Sequence, residues 1–116
     1  MEYADLSALT PVIDKFHRAV STTIHKSFIP ARAPGRRSDG LIYVISGRTH
    51  YDFGSYAFDA KPGDIFFLAR DSVYSMDVYD APYVVFFANF DFRLPPDTAL
   101  RCALYPSVGG KNTEKL

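Results

Sequence analysis

Residues 41–68 read LIYVISGRTHYDFGSYAFDAKPGDIFFL, and this stretch decides the fold. Leu41–Ser46 is a nearly continuous apolar run, which suits a buried strand. Gly47-Arg48 reads as a turn into a second strand, Thr49–Phe53, and Gly54-Ser55 as a turn into Tyr56–Asp59. Both pairs begin with glycine, which supplies the positive φ that tight hairpins require. Lys61-Pro62-Gly63-Asp64 is a further turn before Ile65–Leu68. Short strands joined by tight turns, with no helix between them, predict antiparallel pairing.

The same pattern extends outward. Upstream, Val20–Phe28 reads as the first strand. Pro30–Asp39, with two Pro, one Gly and three Arg, reads as a loop. Downstream, Val73–Val78 and Tyr83–Phe92 read as strands divided by Asp80-Ala81-Pro82, and Ala99–Leu104 as a last one. Helical character is confined to residues 1–19. There Thr10 can cap a short helix, Pro11 suits its first position, and Val12, Ile13 and Phe16 would share one face. The expected organisation is an arm or short helix over 1–19, a β domain over 20–106, and a polar tail over 107–116 that reads as a linker or a truncation. The expected fold class is mainly β, a sandwich or a barrel.

Composition agrees. The 116 residues fit one domain, and 47% hydrophobic content can fill its core. Ten Phe and eight Tyr stand beside no Trp; aromatics suit strands and also line ligand sites. Thirteen basic residues balance thirteen acidic ones, which argues against a DNA-binding surface in this segment. Cys102 is the single cysteine, so no intrachain disulfide forms and a cytoplasmic protein is expected. The first residues show no secretory leader, and no apolar run reaches membrane-spanning length, so no membrane association is expected.

Over Leu41–Asp64 the sequence resembles a cupin. The apolar strand closing on Gly47 is similar to the end of the first cupin motif. Pro62-Gly63-Asp64 is similar to the start of the second, with residues 48–62 as a short intermotif segment. Roughly residues 20–92 carry the likeness. A finer resemblance is to the N-terminal effector-binding domain of AraC-family transcription regulators. It rests on Phe28–Arg32, Arg37–Gly47 and the aromatic late strand Phe86–Phe92. The resemblance implies a double-stranded β-helix, or jelly-roll-like barrel, that binds a small, sugar-like effector and is compatible with a homodimer. DNA would be bound by a separate helix-turn-helix domain outside this chain. The family also implies a mobile N-terminal arm, here Met1–Ala19, that folds over the ligand.

Many cupins are metal enzymes whose ligands are His and Glu. By the resemblance, the first-motif positions fall in Ala33–Gly40, which hold Arg36 and Arg37 but no His or Glu, and the second-motif His position falls at Tyr74. No metal or other cofactor is therefore expected. His17, His25 and His50 match no metal spacing. Cys102 sits among apolar residues and reads as a buried, inert thiol.

Alternation along the late strand puts Tyr83, Val85, Phe87 and Asn89 on one face and Val84, Phe86, Ala88 and Phe90 on the other. The first face mixes aromatic bulk with an amide, as a ligand pocket requires. The second is purely apolar and suits packing between sheets. Alternatively both faces are ordinary core, with Asn89 near a barrel mouth. If Tyr74 points into the barrel, so do Met76 and Val78. The resemblance places Val85 and Phe87 inside and matches Arg32 to an arginine that contacts the effector. Ile42 and Val44 complete the candidate ligand-binding set. Arg36 and Arg37 read as surface residues, although all three arginines together could attract an anion. Asp39 and Asp64 read as turn residues.

Two function classes follow. The first is a non-enzymatic ligand-sensing domain of a bacterial AraC-type regulator. The second is a stand-alone cupin enzyme of the sugar isomerase or dioxygenase type, against which the absent ligand set argues.

Overall fold

A computed structural model describes residues 2–4 and 12–105 of the chain. Its strands are β1 (Glu2–Ala4), β2 (Val12–Ile24), β3 (Phe28–Ile29), β4 (Asp39–Asp52), β5 (Ala57–Ala60), β6 (Ile65–Leu68), β7 (Ser75–Arg93), β8 (Thr98–Leu100) and β9 (Ala103–Tyr105). No helix occurs among the described residues.

Two long strands organise the barrel. The first half of β4 pairs with the second half of β7, Ile42 opposite Phe87 and Val44 opposite Val85. The second half of β4 pairs with the first half of β7, Tyr51 opposite Met76. Each half recruits different neighbours. One layer runs β2-β7-β4-β6-β9 and the other β3-β7-β4-β5. Strands that pass from one sheet into the other at a bulge are how a sandwich turns its corners. The inward faces of the two layers meet through aromatic side chains: the Tyr51 ring of one lies 5.0 Å from the Phe66 ring of the other. Phe66, Val44 and Tyr83 have no exposed surface, and the Tyr51 and Tyr83 hydroxyls form a buried hydrogen bond of 2.8 Å.

The corner lies where the sequence pointed to turns. Gly47 has φ of +83°, but β4 runs through it without a break. Likewise β7 continues through Asp80-Ala81-Pro82. Register shifts between Val44 and Thr49 show paired bulges. A proline lacks the N–H that a central ladder needs, and a bulge is where a strand tolerates it. Both expected turns are therefore bulges within continuous strands. Gly54-Ser55 is a true turn, its Gly54 N–H donating to Asp52 Oδ1 at 2.8 Å. So is Lys61–Asp64, where Asp64 Oδ2 accepts from the Lys61 N–H at 2.9 Å.

The expected helix is absent over its described part. Thr10 and Pro11 lie outside the described residues, but Val12, Ile13 and Phe16 belong to β2, which starts well before the expected Val20. The register of β2 against β7 shifts between Ile13 and Lys15 and again between Phe16 and Arg18. Two bulges three residues apart put Ile13 and Phe16 on one face, which imitates helical spacing in a strand. The expected last strand is also divided, into β8 and β9.

On β7, Val85, Phe87 and Asn89 face the barrel interior, whereas Phe86 on the other face is 45% exposed. That second face therefore does not pack between sheets along its length. Only its end does so, where Phe90 and Phe92 are buried and Phe92 stacks on Phe67.

Candidate functional site

An open cavity of about 200 Å³ lies inside one end of the barrel. Its walls are apolar: Ile24 from β2, Ile42 from β4, Leu68 from β6, Met76, Val85 and Phe87 from β7. Its polar groups are few: Thr22, Arg36, Tyr51, Tyr74 and Asn89. Alternation explains the wall, since Val85, Phe87 and Asn89 are successive inward positions of one strand.

Arg36 is the centre of the polar set. Its Nε donates to the Ser38 carbonyl at 3.1 Å, Nη1 to the Tyr74 hydroxyl at 3.1 Å and Nη2 to Asn89 Oδ1 at 2.9 Å. The backbone holds it there. The Arg36 N–H donates to the Ser72 carbonyl at 3.1 Å, and its own carbonyl accepts from the Asp71 N–H at 2.9 Å. Such a close approach of two loops needs Gly35, whose φ is +98° and whose Cβ, if present, would lie 2.5 Å from Ser72 O. Gly40 does the corresponding service for the side chain. It is paired with Asn89, and a Cβ there would lie 2.5 Å from Arg36 Nη2. The absent side chain at position 40 leaves the space that the guanidinium occupies.

Asp39 secures the same corner. Its carboxylate is buried and accepts from the Arg70 N–H at 2.7 Å and the Phe92 N–H at 3.0 Å, joining β4, the 69–72 loop and β7. Asp39 is thus a clamp between elements and not a turn residue.

At the rim, the Arg18 guanidinium lies 5.4 Å from the centroid of the Phe87 ring, within cation–π distance. Deeper in, burial, and then the hydrogen-bonded Tyr83, push the Tyr51 phenol well above its usual value. Burial likewise pushes Tyr83 up to about 12. Both are neutral at physiological pH, so the cavity floor carries no charge.

Of the expected site residues, Ile42, Tyr74, Met76, Val85, Phe87 and Asn89 line this cavity together. Val44 shares the inward face of β4 but is fully buried in the core and does not line the cavity. Arg32 is exposed in the loop and lies outside the lining. The loop is pinned at Gly35–Arg36, so Arg36, expected at the surface, is the arginine that reaches inward. Arg37 is exposed. Arg18 was not a candidate because the expected first strand began only at Val20, whereas Thr22 lies within that strand and carried no signal that distinguished it.

The cavity does not fit a metal. Among the described residues no group of three His, Cys, Asp or Glu side chains comes together. The cavity's donors are a guanidinium, phenols, a hydroxyl and an amide, and a fixed guanidinium repels a cation. His17 pairs with Asp91 and His50 with Asp59, both away from the cavity. Cys102 is buried and its Sγ accepts from the Ala69 N–H at 3.1 Å. A larger groove of about 870 Å³ runs past Tyr56, Arg70, Leu94 and Cys102. Its Asp39, Arg70 and Cys102 are engaged by the bonds of the fold, Arg70 Nη2 donating to Phe92 O at 3.4 Å.

No protein-family model matches this chain, and no curated protein matches it in sequence. Among solved structures it is similar to the protein YhaK from Escherichia coli, with a TM-score of 0.62 and 16% identity over 83% of this chain and 44% of that one. It is also similar to YlbA from E. coli, with a TM-score of 0.49 and 15% identity over 85% of this chain and 49% of that one, a likeness too loose to carry weight. The chain therefore spans less than half the length of either. At such identity the likeness is one of fold, and with the two-layer barrel described above it makes this chain a cupin-type β domain.

Proposed function

We propose that this chain is a ligand-binding module that does not catalyse a reaction, the effector-sensing domain of a bacterial AraC-type transcription regulator acting in the cytoplasm. A small polar metabolite, a sugar or a related compound, would sit in the barrel cavity. DNA would be bound by a helix-turn-helix domain beyond this segment. The observation that carries the reading is the Arg36 guanidinium, fixed by Tyr74 and Asn89 against a mainly apolar cavity. A few oriented polar groups on apolar walls are what a small-molecule site requires. The lining also favours binding over chemistry. Its titratable groups are arginine and tyrosines, with no carboxylate or imidazole to serve as a general base near neutrality.

The reading is tested by screening small metabolites for a rise in the melting temperature of the chain. A hit should weaken in Tyr74→Phe and Asn89→Leu. Turnover of a bound sugar would overturn the non-enzymatic part. A gene product with no helix-turn-helix pair after residue 116 would overturn the regulator part.

A further inference from the structure

The charge of Arg36 is fixed in place but not neutralised. Its three side-chain hydrogen bonds go to a carbonyl, a phenol and an amide, all neutral. Among the described residues, no carboxylate lies within ion-pair distance of Arg36 or Arg18, and no Asp or Glu lines the cavity. A half-buried guanidinium beside apolar walls is costly without a counter-ion. We propose that the counter-ion is the ligand, and that the cavity takes a small monocarboxylate with an apolar body, its carboxylate on Arg36. This rests on the reading above that the cavity is an effector site, and it replaces a neutral sugar by an acid.

The geometry supplies the details. A guanidinium has five N–H donors. With Nε, one N–H of Nη1 and one of Nη2 engaged, one remains on each terminal nitrogen. A carboxylate can accept from both terminal nitrogens of one guanidinium in bidentate fashion. The Tyr74 hydroxyl accepts from Arg36, so its own proton is free to donate to the same anion. Arg18, beside the ring of the lining residue Phe87, adds a second positive charge near the cavity.

The rest of the ligand is set by the wall. Ile24, Ile42, Leu68, Met76 and Val85 offer hydrocarbon, and Phe87 a ring. A hexose would bury its hydroxyls there, and no carboxylate is present to accept from them. A volume of about 200 Å³ is the liquid share of roughly seven waters, below the ~300 Å³ at which drug-sized pockets begin. A single ring or a short aliphatic chain is the size class.

The probes are benzoate and hexanoate, with benzamide and glucose as neutral counterparts, titrated calorimetrically into the whole chain. One of the two acids should bind, benzamide should bind at least tenfold more weakly, and Arg36→Gln should weaken the acid by about tenfold to a hundredfold. Gly40→Ala is the second variant. Its new methyl would lie 2.5 Å from Arg36 Nη2 and 3.2 Å from Asn89 Oδ1, both side-chain ends that can shift, so it should reduce acid binding comparably while lowering the melting temperature less than a clash with backbone would. Equal binding of benzoate and benzamide, or an acid indifferent to both substitutions, overturns the proposal. Binding of glucose with neither acid bound also overturns it, yet leaves the effector cavity standing. Binding of none of the four in the cavity overturns both.

Discussion

Replacing Gly47 by alanine tests whether the corner of the barrel has been understood. Gly47 has φ of +83°, and a Cβ there would fall against the Pro82 carbonyl, 2.7 Å from the Asp80 carbonyl and 2.8 Å from the Tyr83 Cα. All three are backbone atoms of the facing strand, so none can swing aside. The left-handed backbone costs an alanine about 1–2 kcal/mol. Forcing β4 and β7 apart costs a further ~1–3 kcal/mol, by the measure of overpacked cores. The sum, roughly 2–5 kcal/mol, should lower the urea midpoint by roughly 1–2 M for a domain of this size. Gly54→Ala and Gly63→Ala are internal controls. Both glycines have φ of +92° and nothing within 4 Å of the added methyl, so they carry the backbone cost alone. Equal losses at positions 47, 54 and 63 would refute the bulge account and return Gly47 to an ordinary turn.

Three further outcomes are expected. Asp39→Ala leaves the Arg70 and Phe92 N–H groups without an acceptor and should cost about 3–5 kcal/mol in a denaturant titration; a loss under ~1 kcal/mol would show that the carboxylate clamp is dispensable. The Tyr83 phenol, raised from 10.0 to about 12 by burial, stays protonated in the native state while the unfolded chain ionises. Its contribution, on the order of 2–3 kcal/mol, is therefore intact below pH 10 and lost as pH rises toward about 12; urea midpoints that stay level across this window would contradict it. Arg32→Ala should leave both stability and ligand affinity unchanged, because Arg32 is exposed and outside the cavity, whereas Phe87→Ala should lower both; calorimetry on the two variants separates them.

Much of the fold was legible because strand periodicity is a local signal. Ile42 and Val44 on one strand, and Val85 and Phe87 on another, face inward as alternation required, and Lys61–Asp64 turns as its residues indicate. What escaped notice depends on partners distant in sequence. Glycine with positive φ serves a turn and a bulge equally well, and only the strand opposite decides between them. At Gly47 that strand is β7, some thirty-five residues away, bearing its own irregularity at Pro82. The stretch Val12–Ile24 is ambiguous for the same reason. Two bulges gave it a spacing near that of a helix, and pairing with β7 along its length overrode the weak propensity.

The candidate site divides along the same line. The candidates carried on strands come together at one cavity, Val44 excepted, because the face of a strand is fixed by its sequence. Which arginine lines the cavity, Arg36 and not Arg32, is decided on a loop whose conformation is set by contacts with another loop. Between Pro30 and Asp39 the sequence offers three arginines of equal chemistry. Two bonds to the 69–72 loop choose among them, and these depend on Gly35 having no Cβ to strike Ser72 O. The choice is completed by Gly40, opposite Asn89, whose missing side chain is the seat of the guanidinium. In the proposed site the anion-binding element is one arginine together with two glycines that carry no chemistry of their own. Specificity at this site should respond to changes at Gly35 and Gly40 as strongly as to changes in the cavity wall. A substitution at position 35 disturbs the loop and its backbone bonds, while one at position 40 meets only side-chain ends, the guanidinium and its Asn89 partner.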